Sequence, residues 1–441
     1  MQKEKTLHLV SLGCTKNLID SEVMLGRLQE YKIIDESDKA DVIIVNTCGF
    51  IDAAKEESIQ TILNLHDSRK EDSLLVMSGC LSERYQEQLQ EDLKEVDIFT
   101  GVGDYDKIDE LIEERKSRFT PKSYLIGNEK RVITGSTHHA YIKLSEGCNQ
   151  KCSFCAIPQF KGKLQSRELA AVVTEVKGLV KEGFYDFSFI SQDSSSYLRD
   201  FDVQDGLGYL IDAIEEIEGV HSARILYLYP STLSLEVLGK MMASKTFHNY
   251  FDMPIQHITD NMLRIMKRGA GEAQVKAQLN FMRQAPDSFL RTSIIVGHPG
   301  ESTVEFEKLC DFMRDFDFDR TTIFAYSDEE GTKAVTMDES KIDKETIQER
   351  IEILNAIVEA KTQKSLQKEI GKEIEIIALG ESSEHEFFVG ARKLSWAEDI
   401  DGEILINENA YQEELEVGRC YLAKITELAG ENLIATVLRP A

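Results

Sequence analysis

Three cysteines inside one eight-residue stretch constrain what this chain can fold around. Cys148, Cys152 and Cys155 stand in Gly147-Cys148-Asn149-Gln150-Lys151-Cys152-Ser153-Phe154-Cys155. The stretch follows Ala140-Tyr141-Ile142-Lys143-Leu144, a short apolar run that reads as a strand. Thiolates this close on one loop are soft ligands aimed at a common centre, the arrangement that suits an iron–sulfur cluster. Structural zinc takes four ligands, usually as two separated pairs, and no fourth Cys or His stands nearby. A disulfide needs an oxidising compartment, and the opening Met1-Gln2-Lys3-Glu4-Lys5 carries no apolar signal region. Three protein ligands on a four-iron cluster leave one iron open to bind and activate a small molecule.

With three and then two residues between the cysteines, and an aromatic residue before the last, the loop resembles the signature of the radical S-adenosylmethionine superfamily. That resemblance implies that the open iron holds the amino and carboxylate groups of S-adenosylmethionine.

The chain has 441 residues, enough for two or three domains, with 42% apolar and 29% charged residues. No apolar run approaches the roughly 20 residues needed to span a bilayer, so no membrane partner is expected and a cytoplasmic location is. The net charge is −27, from 78 acidic against 51 basic residues. A surface that grips a polyanion is normally basic, so the balance points away from nucleic acid and toward a protein or small molecule.

Three regions follow from the patterning: 1–127, 134–366 and 367–441. In the first, strand-like runs at Leu7–Ser11, Val42–Val45 and Leu74–Met77 alternate with helical runs at Leu18–Glu30, Asp52–Leu65 and Glu83–Leu93. This alternation predicts an α/β domain on a parallel sheet. Each strand leads into a cysteine beside a glycine: Gly13-Cys14, Cys48-Gly49 and Gly79-Cys80. Ligands bind at the carboxyl ends of such strands, so the three thiols are candidates for a second three-thiolate site. Three small core residues are the structural alternative.

The second region continues the rhythm. Strands are expected at Asp186–Ser191, Ala223–Tyr227, Tyr250–Pro254, Arg291–Val296 and Thr321–Ala325, with helices at Glu168–Glu182 and Thr303–Phe316. A full or partial β/α barrel results, its site at the strand carboxyl ends, and a Glu/Lys-rich helix over Lys344–Ile370 leads out of it. The third region switches to short alternating runs, which predict a small antiparallel β-barrel of about five strands. From Lys368 onward it carries 7 basic and 16 acidic residues, a net charge of −9. A basic protein surface suits it better than phosphate. Cys310, on the apolar face of its helix, and Cys420, opening a strand, read as core residues.

This layout resembles the methylthiotransferases, with the terminal barrel similar to their TRAM module. Ser11-Leu12-Gly13-Cys14-Thr15-Lys16-Asn17, Asn46-Thr47-Cys48-Gly49-Phe50-Ile51, Cys155-Ala156-Ile157-Pro158 with Gly162 and Ser166-Arg167, and Tyr326-Ser327-Asp328-Glu329-Glu330-Gly331-Thr332 resemble the branch that acts on a ribosomal protein. The resemblance implies methylthiolation at the β-carbon of an aspartate in protein twelve of the small ribosomal subunit, on a basic target loop. It implies two [4Fe-4S] clusters. Cys148, Cys152 and Cys155 hold the one that cleaves S-adenosylmethionine to a carbon radical, and Cys14, Cys48 and Cys80 the one that carries the sulfur. An electron donor is required. Phe154, Ser191, Gln192, Asp193 and Gly297 are implied contacts of S-adenosylmethionine, with Gln256 and His257 as pocket lining. Asn46 stands where the family usually has aspartate, and His298 where an aromatic or aliphatic residue is common. The sister branch that modifies a tRNA adenosine would share all six cysteines. A non-catalytic iron–sulfur carrier and a zinc-binding interaction protein are the readings from other classes.

Overall fold

A computed structural model describes residues 4–127, 129–384, 386–411 and 413–441. The leaderless reading of the opening stretch falls in part on residues 1–3, outside the described residues. The first sheet is parallel, in the order Lys32–Ile33, Thr6–Ser11, Val42–Thr47, Leu74–Gly79, Ile98–Phe99. Its middle strand, VIIVNT, is buried at every residue, the continuous apolar run expected of a strand covered on both faces. The two edge strands are only two residues long and carry no pattern that sequence alone would mark.

The helix expected over Glu83–Leu93 is two helices, Cys80–Arg84 and Gln86–Asp92, broken at Tyr85. The residues on either side of the break are committed to fixed partners. Glu83 accepts from the Val102 N–H at 3.0 Å, and Arg84 donates to the Gly49 carbonyl at 2.9 Å and to Glu329 at 2.8 Å.

The central sheet has six strands, all parallel, in the order Arg320–Ala325, Phe289–Val296, Phe247–Asp252, Ser222–Ile225, Asp186–Ile190, His139–Lys143. It does not close on itself and is a partial barrel. Helices such as Leu169–Lys181 and Thr303–Asp315 cover its outside around Phe187, Phe189, Ile225 and Phe251. Cys310 lies in that core at 3% exposure. The inner face shares an apolar cluster with the first domain, running from Val42 and Val76 through Tyr141, Leu226 and Tyr250 to Ala397.

The terminal region is a closed five-stranded barrel: Glu373–Glu381, Val389–Lys393, Ile404–Asn409, Asn432–Pro440, Cys420–Ala429. Four pairings are antiparallel, and the one between Ile404–Asn409 and Asn432–Pro440 is parallel. An odd number of strands closed into a ring cannot alternate throughout, so one parallel seam is a topological necessity.

This barrel docks on the amino ends of the central strands. Asp186, the first residue of its strand, pairs with Arg224 at 2.7 Å and with Arg392 of the barrel; Arg392 also pairs with Glu398 at 2.9 Å. The Tyr141 hydroxyl donates to the Glu398 carbonyl, and Arg320 to the Asp401 carbonyl at 3.1 Å. Trp396 packs on Phe289 with ring centroids 6.0 Å apart. Cys420 is half-buried at the same seam, 3.5 Å from the Tyr185 hydroxyl. Residues 394–401 thus plug the lower mouth of the open barrel. No helix among the described residues is long and apolar enough to cross a membrane.

Candidate active site

Both cysteine groups lie at strand carboxyl ends, facing away from the plug. All eight cysteines are free thiols. Cys14 precedes the Thr15–Arg27 helix as its N-cap residue, Cys48 follows Val42–Thr47, and Cys80 opens the helix that leaves Gly79. The three loops meet in space. Gly13, at φ +85°, lies against Cys48, where any Cβ would come within 2.7 Å of the sulfur. Gly79, at φ +97°, lets the chain turn directly into Cys80 with its backbone against Asn46 and Thr47. Both positions demand glycine.

Asn17 ties the loops together. Its amide donates to the Leu12 and Thr47 carbonyls at 3.1 Å each, and the Cys80 thiol approaches its oxygen at 3.6 Å. Asn46 donates to the Asn17 carbonyl at 2.9 Å and to the Ser21 hydroxyl at 3.0 Å, so this departure from the family pattern is held in the same network. Burial pushes the Cys48 and Cys80 thiols up.

The Cys148–Cys155 loop is pinned as firmly. The Ser153 N–H donates to the Met266 carbonyl at 3.0 Å, and the Ala334 N–H to the Ser153 carbonyl at 2.8 Å. Burial raises the Cys148 and Cys155 thiols to about 12. Cys152 has two neighbours that no local pattern marks: the Arg268 guanidinium donates to its sulfur at 3.2 Å, and the Tyr229 hydroxyl lies 3.3 Å from it.

The residues expected near S-adenosylmethionine all fall around this loop or at the same strand ends. Asp193 accepts from the Gln150 amide of the loop at 2.7 Å and from Ser196 at 2.5 Å, and burial raises its carboxyl. The Gln192 amide donates to Glu146, leaving its oxygen without a partner among the described residues. Ser191 is buried and donates to Ser194 at 3.3 Å. Phe154 stands edge-on to His298 and packs beside Met262, Met266 and Ile295. Gly297 donates to Glu301 at 2.9 Å, and Ile347 occupies the place its Cβ would take. His257 is fully buried, 3.6 Å from Glu301.

Between the two cysteine groups lies a buried quartet of charges. Lys143 pairs with Asp20 and, at 2.9 Å, with Glu146; Lys161 reaches Asp20 at 3.3 Å and Glu146 at 3.5 Å. Burial opposes ionisation of Glu146, but the two lysines outweigh it and hold its carboxyl at about 2. The quartet fastens the helix that starts after Cys14 to the strand that feeds the Cys148 loop. Lys16, on that helix, is 9% exposed and makes no ion pair among the described residues. Its ammonium sits 3.4 Å from the centre of the Tyr227 ring, at a carboxyl end of the central sheet. Nothing in the sequence pairs Lys16 with Tyr227, 211 residues apart.

The donor sets fit iron–sulfur clusters. Each group supplies three unbridged thiols on loops, a soft set with no carboxylate or imidazole among its members. Among the described residues, no three His, Cys, Asp or Glu side chains close on a point that would seat a single metal ion. A cubane spreads its ligand sulfurs wider than one ion does.

Residues 6–101 match the Uncharacterized protein family UPF0004, and residues 142–313 match the Radical SAM superfamily. The chain is 62% identical to a protein of Sulfurimonas denitrificans named ribosomal protein uS12 methylthiotransferase RimO, over 98% of each chain. Proteins of the same name from Sulfurovum sp. and Aliarcobacter butzleri are 60% identical over 100% of each chain, and 58% identical over 99% of this chain and 98% of the relative. Among solved structures, the radical S-adenosylmethionine methyltransferase TsrM of Kitasatospora setae shares the fold at TM-score 0.52 and 13% identity, covering 73% of this chain and 72% of that one.

Proposed function

From the premise that this chain belongs to the family of ribosomal protein uS12 methylthiotransferases, RimO, we propose that its two cysteine groups hold one four-iron cluster each and together place a methylthio group on the β-carbon of an aspartate in uS12. It is a radical S-adenosylmethionine methylthiotransferase. The observation that carries the reading is the placement of two unbridged three-thiol groups at strand carboxyl ends, fastened to each other by the Lys143–Asp20–Lys161–Glu146 quartet.

The β-carbon of aspartate has a strong C–H bond and no leaving group, so acid–base chemistry cannot deliver sulfur there. The clusters and S-adenosylmethionine, when bound, supply the electron, the carbon radical and the sulfur. The protein's own groups position and tune. Cys148, Cys152 and Cys155 hold the cluster that works with S-adenosylmethionine, and Cys14, Cys48 and Cys80 hold the sulfur donor. Arg268 and Tyr229 direct polar hydrogens toward the Cys152 sulfur, the kind of outer contact that sets a cluster's potential. Asp193 orients the cysteine loop through Gln150 and, with Ser191, Gln192, Phe154 and Gly297, lines the S-adenosylmethionine site.

Lys16 supplies the positive charge that an aspartate carboxylate needs. It is a buried cation that makes no ion pair among the described residues, near Cys14, and the Tyr227 ring at a carboxyl end of the central sheet holds it in place. The acidic terminal barrel suits a basic ribosomal protein and disfavours tRNA.

Anaerobically reconstituted, reduced enzyme given S-adenosylmethionine, sulfide and a peptide bearing the target aspartate should add one methylthio group in place of hydrogen, a gain of roughly 46 Da. A parallel reaction with tRNA should show no product. Modified tRNA and an unmodified peptide would assign the chain to the sister branch.

A further inference from the structure

The outer side of the Cys148–Cys155 loop opens on a cleft of about 700 Å³. Asn149, Gln150 and Lys151 form one wall, and the segment from Asp260 to Gly271 forms the other. Three exposed cations, Lys151, Arg264 and Lys267, line it. A fourth, exposed Lys333, stands close enough to Lys267 that the two ammonium groups repel, with Lys151 adding to the repulsion. None of the four makes an ion pair among the described residues; Arg264 donates only to the Asn261 side chain, at 2.9 Å. Asp260 also lines the cleft, and its carboxylate accepts from the Glu272 N–H at 2.7 Å.

In a chain of net charge −27, four unneutralised cations in one place are an anomaly that needs a counterpart. The cleft also borders the loop directly, with Asn149, Gln150 and Lys151 in its lining. Its far wall bonds the loop backbone through Met266 and reaches the Cys152 sulfur through Arg268.

We propose that this cleft docks an acidic one-electron carrier protein. The inference rests on the assignment of Cys148, Cys152 and Cys155 as a cluster site. The donor is oxidised by one electron, the centre held by the loop is reduced by one, and no atom moves between them. Charge on both sides explains why a protein, rather than a nucleic acid, is the occupant. Four cations on a compact rim match a patch of carboxylates, whereas a nucleic acid would need a longer basic track and would meet repulsion beyond the cleft. The same background repulsion leaves one favourable orientation and a short-lived complex, as a carrier that must leave after each transfer requires.

The test uses reconstituted full-length enzyme and an acidic flavodoxin in its hydroquinone form. Binding is measured by calorimetry at roughly 0.05 and 0.3 M salt, and 5′-deoxyadenosine formation is followed with flavodoxin or with dithionite as reductant. Binding should weaken with salt. The double variant Arg264→Glu/Lys333→Glu should lose about tenfold or more in flavodoxin affinity and in flavodoxin-driven cleavage. Its dithionite-driven cleavage and iron content should stay at the parent level. Lys177→Glu/Lys181→Glu, an equal charge change on a remote helix, should alter neither rate. An unchanged flavodoxin-driven rate in the cleft variant overturns the docking assignment, and so does a tRNA complex that the cleft variant abolishes. No dithionite-driven cleavage by cluster-loaded parent enzyme overturns the assignment of the loop itself, and the docking proposal with it.

Discussion

The two ends of the central sheet follow opposite rules. At the amino ends a chain of ion pairs and hydrogen bonds crosses the domain seam: Asp186 takes Arg224 and Arg392, Glu398 takes Arg392 and His138, and the Asp401 carbonyl takes Arg320. At the carboxyl ends the chain gathers six unbridged thiols, the Gln192 oxygen, which has no partner among the described residues, and the Lys16 ammonium, which lies on the Tyr227 ring and makes no ion pair among them. Thiols are soft ligands, so their gathering on one face singles it out as the candidate ligand site. The ion-paired end joins the central and terminal domains, and the thiol-bearing end carries the candidate site.

The largest effect that sharpens this contrast is within the thiol-bearing end. Cys152→Ala should abolish 5′-deoxyadenosine formation and product together. Cys48→Ala should keep the first, abolish the second and lower iron content by about half, measured by chromatography, mass spectrometry and metal analysis. Equal loss of both activities in the two variants would collapse the distinction between the thiol groups.

At the ion-paired end, Arg392→Met leaves Asp186 and Glu398 short of a partner in a buried site. Destabilisation of about 3–5 kcal/mol is expected, read as a lowered melting temperature and early proteolysis between the central and terminal domains. Lys16→Met should lower kcat/KM for the uS12 peptide by roughly 10- to 100-fold, mostly through KM, with peptide-free S-adenosylmethionine cleavage retained and partial recovery in Lys16→Arg. If Lys16→Met lowered iron content instead, its role would be structural.

The smallest effect is pH dependence at the ion-paired end. Burial lowers His139 and His248 to about 4, so both are neutral in the fold. Unfolded, they take up protons near pH 6.5, so stability is full above that pH and falls as pH drops from about 6.5 toward 4. Each contributes at most about 3 kcal/mol. Asp186 and Glu398 are buried, yet arginines hold Asp186, and His138, His139 and Arg392 hold Glu398, well below the usual carboxylate range. Their contribution is present above the unfolded carboxylate pKa and is lost at still lower pH, in the same direction. Chemical denaturation at pH 7.5 and 5 checks it; a His139→Gln variant should flatten the upper part of the decline.

Much of the layout was legible because period is a local property. Apolar runs such as VIIVNT and LLVMSG announce buried strands, and the cysteine spacing announces its loop without any knowledge of the fold. What was not legible lies in contacts made across the chain. Lys16 finds Tyr227, and Cys152 finds Arg268 and Tyr229, only because parallel strands bring their carboxyl ends together. The break at Tyr85 depends on what Glu83 and Arg84 meet from other loops. The docking of the terminal barrel turns on Arg392 and Asp186, each an ordinary charge in its own window of sequence.

The plug formed by residues 394–401 follows the last central strand by about seventy residues. A chain emerging from the ribosome completes all six strands before the piece that seals their lower mouth exists. Until then Tyr141, Tyr250 and the Asp186–Arg224 pair face water from below. Maturation of this enzyme is therefore vectorial: the scaffold is laid down first, and its interior is dried only when the terminal barrel arrives.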